Sequence, residues 1–221
     1  MGLRIIGAVL PSVEEFAIQE DGASQASYTF GAVTLSEAGL FVVRFLLGGV
    51  FAATRTVSSV TVGGNAATII QQNDGFVTLN SVAVGLAVIA LAAGSSGSIV
   101  VTVAGGLNGA CCVVQPVALY DLKSATEHAK NGAGVGNATS VSTTLDIPSG
   151  GLEIVAAGSI NGSAVHTPTG YIDTPAGGQQ IDTSWRVHNG VDLGMVSETG
   201  RTLISDSSLS TKRAIAAASW R

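Results

Sequence analysis

A long stretch without a charged side chain is the feature that most limits how this chain can fold. From Gly75 to Tyr120 there is no Asp, Glu, Lys or Arg, and Asp74 is the single charged residue between Thr56 and Tyr120. A sheet with one face in water usually carries polar or charged residues at alternate positions. We therefore expect these strands to be covered on both faces, by the protein core on one side and by a neighbouring subunit on the other. The alternative is a neutral Ser, Thr and Ala face that is exposed to water.

Charge is scarce over the whole chain as well. Only 11% of the 221 residues are charged, whereas about 25% is usual for a soluble domain. Charged residues keep a monomer soluble, and they are depleted where subunits associate permanently. The composition therefore favours a subunit of a larger assembly, with a monomer of neutral surface as the alternative. The net charge of −5 argues against the basic patch of a nucleic-acid-binding protein, so no nucleic-acid partner is expected.

The apolar residues follow the period of β-strands along the chain. Short segments rich in Val, Ile, Thr and Phe are separated by clusters of Gly, Asn, Asp and Ser. The pattern predicts strands over Leu3–Leu10, Ser27–Leu35, Leu40–Leu47, Thr56–Val62, Ala66–Gln71, Phe76–Leu79, Val82–Ala92, Ser98–Val103, Ala110–Leu119, Thr139–Ile147, Leu152–Ser159, Ser184–His188, Val191–Ser197, Thr202–Ser205 and Lys212–Trp220.

Two predicted hairpins and the number of strands indicate the fold class. A Gly63-Gly64-Asn65 turn joins two of the strands, and Asn189-Gly190 is the length of a two-residue hairpin turn. About fourteen short strands without strand–helix alternation predict an all-β, jelly-roll-like antiparallel β-sandwich. We expect one domain over residues 1–221, with a two-part split near 121–138 as the alternative.

One segment has the character of a helix. Residues 121–130 contain Asp121, Lys123, Glu127, His128 and Lys130, and Asn131-Gly132 would end a helix there. The sequence therefore predicts one short helix near residues 121–130, followed by a loop over 132–136.

The two cysteines, Cys111 and Cys112, are adjacent in sequence. Neighbouring side chains of a strand point to opposite faces, so these two thiols are not expected to bond to each other. We interpret them as small residues of the core, with a disulfide between subunits as the alternative.

The sequence offers little to support catalysis. The histidines His128, His166 and His188 lack the spacing of a zinc site, and no phosphate-binding loop or serine nucleophile motif is present. We therefore predict a non-enzymatic protein with no catalytic residue, no cofactor and no metal. A hydrolase or calcium site formed by convergence of the late loops is the open alternative; its candidate residues are His166, Asp173, Asp182, His188 and Asp192.

A carbohydrate-binding site is a second open alternative. Such sites stack an aromatic ring on the sugar and flank it with Asp, Asn or Gln. The candidate residues are Tyr171, Asp173, Trp185 and Asn189, with Asn161, Gln179 and Gln180 in the same region. Trp185 and Trp220 are also typical of buried anchors in a sandwich.

Two apolar runs are interpreted as buried strands. Phe41–Ala53 contains Arg44 and two glycines, and Val82–Ala93 is shorter than the roughly 18 residues that a membrane span requires. We expect no membrane insertion.

Four segments resemble structural proteins of tailed bacteriophages, of the tail-fibre, head-fibre and decoration kind. The first is Val57-Ser-Ser-Val-Thr-Val-Gly-Gly-Asn-Ala-Ala-Thr-Ile-Ile70, followed by Ala92-Ala-Gly-Ser-Ser-Gly-Ser-Ile-Val-Val-Thr-Val103. Gly151-Leu-Glu-Ile-Val-Ala-Ala-Gly158 and the closing Ala216-Ala-Ala-Ser-Trp220 also fit. The resemblance implies a jelly-roll-like sandwich, a place on the virion and assembly in several copies.

The sequence thus predicts a structural subunit of a virion, made in the cytoplasm of a bacterial host. Its expected partners are copies of itself, in a trimer or a higher oligomer, and other virion proteins. A host surface glycan is the partner under the alternative function, a receptor-binding or carbohydrate-binding module at a fibre or tail tip.

Overall fold

The predicted all-β class is confirmed in a computed structural model, which describes residues 10–50, 53–77, 80–160, 166–172, 179–181, 185–187, 189–193 and 196–221. Within these residues the strands are β1 Ser12–Glu15, β2 Gln19–Asp21, β3 Ser27–Thr34, β4 Gly39–Gly49, β5 Val57–Val62, β6 Asn65–Val77, β7 Asn80–Leu91, β8 Ser96–Val103, β9 Cys111–Tyr120, β10 Ala129–Ile147, β11 Leu152–Ile160, β12 His166–Thr169, β13 Gln179–Ile181, β14 Trp185–Val187, β15 Gly190–Asp192 and β16 Glu198–Trp220. A single 3-10 turn, Ala104–Gly106, is the helical element of the described part. The described residues hold no helix of the length and hydrophobicity that crossing a membrane demands. The predicted strand Leu3–Leu10 lies almost wholly outside the described residues.

The first half of the chain forms one curled antiparallel sheet. Its strand order is β1-β9-β4-β7-β6-β5-β8-β3, and β2 also pairs with β9. The hairpin turn between β5 and β6 is as predicted, because Gly63 and Gly64 both have positive φ, of 58° and 80°, and Val62 pairs with Asn65. Because the sheet curls, alternate residues from its strands meet on the inside in a first core, whose larger members are Tyr28, Phe30, Leu35, Phe41, Phe45, Leu47, Ile99 and Tyr120.

The second half forms a sheet that folds over itself. Its order is β10-β16-β11-β14-β13, with β12 beside β16 and β15 beside β11. The long strand β10 changes register against β16 at bulges between Val135 and Ser140, and bulges bend strands. The amide of Asn131 consequently reaches the carbonyl oxygen of Thr144 in the same strand, at 2.9 Å. The fold-over encloses a second core of Val141, Leu145, Ile147, Val155, Ala157, Tyr171, Leu203, Ile215 and Ala217.

The two sandwiches pack back to back through an interface core. The first sheet contributes Leu40, Val42, Leu46, Val82, Val84, Leu86, Cys111, Val113, Val117 and Leu119, and the second contributes Leu152, Ile154, Ala156, Val187, Ala214, Ala216, Ala218 and Trp220. Strands β4, β7 and β9 therefore carry buried apolar side chains on both faces. This confirms double coverage for β7 and β9 of the charge-free stretch, but the second cover is the chain's own second sheet, mainly β11 and β16. The expectation that a neighbouring subunit covers these strands is wrong.

The adjacent cysteines illustrate this double burial. Both are fully buried, with Cys112 in the first core and Cys111 in the interface core. The prediction that the two thiols point to opposite faces is confirmed.

The predicted helix near residues 121–130 is wrong. The described backbone has bends over 121–128, where Asp121 takes a positive φ of 57°, and Ala129 already begins β10. The N–H groups of Lys123 and His128 donate to the carbonyls of Arg221 and Ser219, at 2.5 Å and 2.7 Å. Pairing with the end of β16 thus satisfies the His128 donor, which a helix would have used internally.

The predicted loop over 132–136 is also strand, and its glycines have a packing role. A Cβ atom on Gly134 would meet the backbone of Asp74, and one on Gly75 would meet the carbonyl oxygens of Val135 and Arg213. Strands β6 and β10 thus approach backbone to backbone, which only residues without a side chain allow.

We expect Gly134→Ala to lower the free energy of unfolding by about 1–3 kcal/mol, because the added methyl group forces β6 away from β10. Gly22→Ala is the matched control, since nothing lies within 4 Å of a Cβ there. Urea denaturation of both variants checks the prediction, and equal stability of the two would contradict it.

Candidate functional site

The residues predicted for glycan binding are partly buried in the protein. Tyr171 belongs to the second core and is 5% exposed, and Asn189 is 3% exposed. The Asn189 amide donates to Oε1 of Gln115 at 2.9 Å. Trp185 begins β14, and Asp173 lies outside the described residues. The structure therefore does not present the Tyr171 ring or the Asn189 amide to a sugar, and the carbohydrate site stays a prediction.

The prediction of a hairpin turn at Asn189-Gly190 is wrong. Among the described pairings, Val187 of β14 lies opposite Gly158 of β11, and Gly190 of β15 lies opposite Val155 of the same strand. The chain therefore continues along β11 through Asn189 instead of turning back. Gly190 is required here because a Cβ atom would collide with the ring of Tyr171.

A buried arginine joins the two sandwiches at this point. Arg44 on β4 is 0% exposed and lies among interface-core residues. Its Nη2 donates to Oε1 of Glu15 at 2.7 Å, its Nη1 to the carbonyl of Gly190 at 3.2 Å, and its Nε to the carbonyl of Gln115 at 3.4 Å. Burial lowers the pKa of Arg44, and the Glu15 carboxylate acts in the opposite direction. The sequence signal was the one charge in the apolar run Phe41–Ala53.

We expect Arg44→Met to lower the free energy of unfolding by roughly 1 to 3 kcal/mol, because the buried carbonyls of Gly190 and Gln115, one on each sheet, lose their donor. Lys130→Met is the control, since Lys130 is partly exposed in its pair with Glu127 and such pairs contribute less than about 1 kcal/mol. Thermal and urea unfolding measure both variants, and a loss at Arg44 no larger than that at Lys130 would exclude this role.

A second arginine is the centre of an acidic cluster at the edge of the second core. Arg201 donates to Oδ2 of Asp192 at 2.6 Å, to Oε1 of Glu198 at 3.3 Å and to the carbonyl of Gly170 at 2.8 Å. Its Nε also lies 3.7 Å from Oε2 of Glu153. Burial lowers the pKa of Arg201, but the carboxylates of Glu153, Asp192 and Glu198 raise it above the usual value. The Arg201 guanidinium thus forms ion pairs with three carboxylates, which lie on three different strands.

Glu153 is the unusual member of this cluster. It is 0% exposed, and within the described residues neither carboxylate oxygen has a hydrogen-bond partner. Burial raises its pKa to about 7; Arg201 opposes this, while Asp192 and Glu198 add to it. The Glu153 carboxyl therefore exchanges a proton near neutral pH. Shifted pKa values of this kind are common at functional sites and also occur in structural ion pairs.

The pKa of Glu153 predicts how stability depends on pH. Because the folded value of about 7 is above the usual 4.5, the folded chain keeps a proton that the unfolded chain releases. Its stabilising effect is complete below about pH 4.5 and is lost as pH rises to about 7. We expect Glu153→Gln to remove this loss and to raise the free energy of unfolding at pH 8 by on the order of 3 kcal/mol.

Urea unfolding from about pH 5 to pH 8 tests this expectation. Glu37→Gln is the control, because Glu37 is exposed and lies in the first half of the chain, outside the Arg201 cluster, so its loss should leave the pH slope unchanged. A Glu153→Gln protein with the wild-type slope would show that another group titrates.

The late-loop residues considered for catalysis or calcium binding are not assembled into one described site. Asp192 is paired with Arg201, and His166 begins β12 opposite Ser207. Asp182 and His188 lie outside the described residues. Among the described residues, no group of three or more His, Cys, Asp and Glu is placed to hold a metal ion.

An unusual surface is the neutral face on the outside of the first sandwich. It consists of the outward residues of β3, β8, β5 and the start of β6, which are Ser27, Thr29, Thr34, Ser59, Thr61, Ala66, Thr68, Ser96, Ser98, Val100 and Thr102. The segments 27–34, 57–70 and 96–103 contain no Asp, Glu, Lys or Arg. On this face the alternative interpretation holds, a Ser, Thr and Ala surface in water.

Cross-strand pairing arranges the neutral face in rows. Thr102 of β8 lies between Ser27 of β3 and Ser59 of β5. In the next row Val100 lies between Thr29 and Thr61. The residues between these rows, such as Val60 and Val101, point into the first core. The face is therefore a regular array of small side chains on a sheet fixed from behind.

Two cavities in the described part are small. One, of about 120 Å³, lies beside the β5–β6 turn and is lined by Val33, Val62, Gly63, Asn65, Ser96 and Gly97. The other, of about 240 Å³, is lined by Ala38, Leu40, Ala90, Leu119, Asp121 and Leu122. Small-molecule sites usually enclose about 300–1,000 Å³, so the neutral face is the better candidate for a functional surface.

Comparison with protein-family models finds no match to this chain. Comparison with curated proteins finds no significant match either.

Proposed function

We propose that this chain is a non-enzymatic structural subunit of a tailed-bacteriophage virion, as a fibre, spike, decoration or tail-tip component. It acts by contacts with other subunits, including copies of itself in a trimer or a higher oligomer. The observation that carries the proposal is the neutral face, a sheet surface exposed in the single chain and free of Asp, Glu, Lys and Arg over its strands. Charge is depleted where protein surfaces associate.

The architecture supports a passive mechanical role. The two sandwiches share an interface core, so β4, β7 and β9 are packed on both faces. Arg44 ties the first sheet to the backbone of the second. A subunit built in this way holds its surfaces in fixed relative positions, as a repeated assembly requires.

The arrangement of the phage-like segments also supports the proposal. Residues 57–70 form the β5–β6 hairpin, and β5 pairs with β8, which contains most of the second segment. Leu152 of the third segment pairs with Trp220 of the fourth. The four segments are thus two pairs of neighbouring strands, one in each sandwich.

Virion particles purified through density gradients from a lysate of bacteria that carry the gene test the proposal. We expect quantitative mass spectrometry to find the chain in a fixed ratio to the major capsid protein through repeated gradients. Immunogold labelling should mark one place on the particle, either head or tail. A non-structural phage protein of the same lysate is the control for carry-over. Recovery of the chain only in the soluble fraction would refute a structural role.

A further inference from the structure

We propose that the neutral face is a self-association surface on which two copies of this chain pack face to face about a twofold axis. The inference rests on the proposed function, because it names the surface through which a structural subunit would assemble. A twofold contact uses the same patch on both copies, so the patch must complement itself.

The charge distribution favours a second copy as the occupant. The chain has a net charge of −5, so two copies repel each other when acidic surfaces meet. Like charges placed together across an interface cost several kcal/mol. The neutral face lets two acidic copies approach without such a pair.

The side chains of the face are chemically self-complementary. Ser and Thr hydroxyls both donate and accept hydrogen bonds, so Ser59 and Thr61 of one copy can bond to hydroxyls of the other when water leaves. Val100 at the centre adds apolar contact. Small side chains also let the two sheets pack closely.

The size of the face indicates a weak contact that is used many times. Four strands spaced about 4.8 Å apart and about six residues long cover roughly 400 Å². A stable interface usually buries about 800 Å² on each partner. We therefore expect dimers that form at high concentration in solution and become permanent where an assembly holds many copies close together.

Sedimentation velocity over a series from about 10 µM to about 1 mM tests the proposal. We expect the mean mass of the wild-type chain to rise from the monomer value of 22.0 kDa toward twice that value. Ser59→Glu adds a carboxylate to the face of each copy and should weaken association at least about tenfold. Ser142→Glu is the matched control, an exposed strand serine on the second sandwich, and should behave as wild type.

Thr29→Glu is a second variant on the face, in case Ser59→Glu does not fold by circular dichroism. A wild-type chain that stays monomeric at about 1 mM would overturn the proposal. So would a dimer or trimer that neither face variant weakens. These outcomes are separate from the test of the virion role. If the chain is a monomer but is found on particles, this association surface is excluded and the structural function stands. If the chain forms a face-dependent dimer but is absent from particles, the association surface stands and the virion role is excluded.

Discussion

The burial of one sheet against the other at the interface core is the constraint on which the rest of the structure depends. Strands β4, β7 and β9 have apolar side chains on both faces, so the first sandwich cannot face water by itself. The last strand, β16, supplies much of the missing cover through Ala214, Ala216, Ala218 and Trp220. These small residues let the two sheets approach closely, while Trp220 fills the end of the layer. The two halves of the chain therefore require each other.

Arg44 is the exception within this apolar layer, and it indicates how the halves are aligned. Its desolvation opposes its attraction to Glu15, and buried ion pairs often contribute little net stability for this reason. We infer that its contribution is alignment. The guanidinium reaches the carbonyl of Gly190 only when β15 lies at one position along β11, with Gly190 packed against Tyr171. Leucine at this position would fill the space without specifying that position.

The pattern of neighbouring residues in the sequence predicted those features of the fold that depend on neighbouring residues. Alternation gave most strands, the Gly63-Gly64 turn and the opposite directions of Cys111 and Cys112. It failed where residues distant in sequence decide the outcome. Segment 121–136 was interpreted as helix and loop because its own residues favour these, but the end of β16 takes its backbone donors. The cluster at Glu153 had no sequence signal, since Arg201 lies on another strand and only the folded sheet brings them together.

The lack of charge had two different causes that a count of charged residues does not separate. In β4, β7 and β9 both alternating sets of residues are mainly Leu, Val, Phe, Ala or Cys, which is typical of strands buried on both faces. In β3, β5 and β8 one set is Val, Ile, Phe or Tyr, and the other is mainly Ser and Thr. The second pattern has an outward face that is polar but uncharged. Burial within the chain explains the first group completely, whereas the second group remains open to solvent and needs a different explanation. Under the proposed self-association, contact with another copy accounts for the presence of hydroxyls there instead of lysines and glutamates.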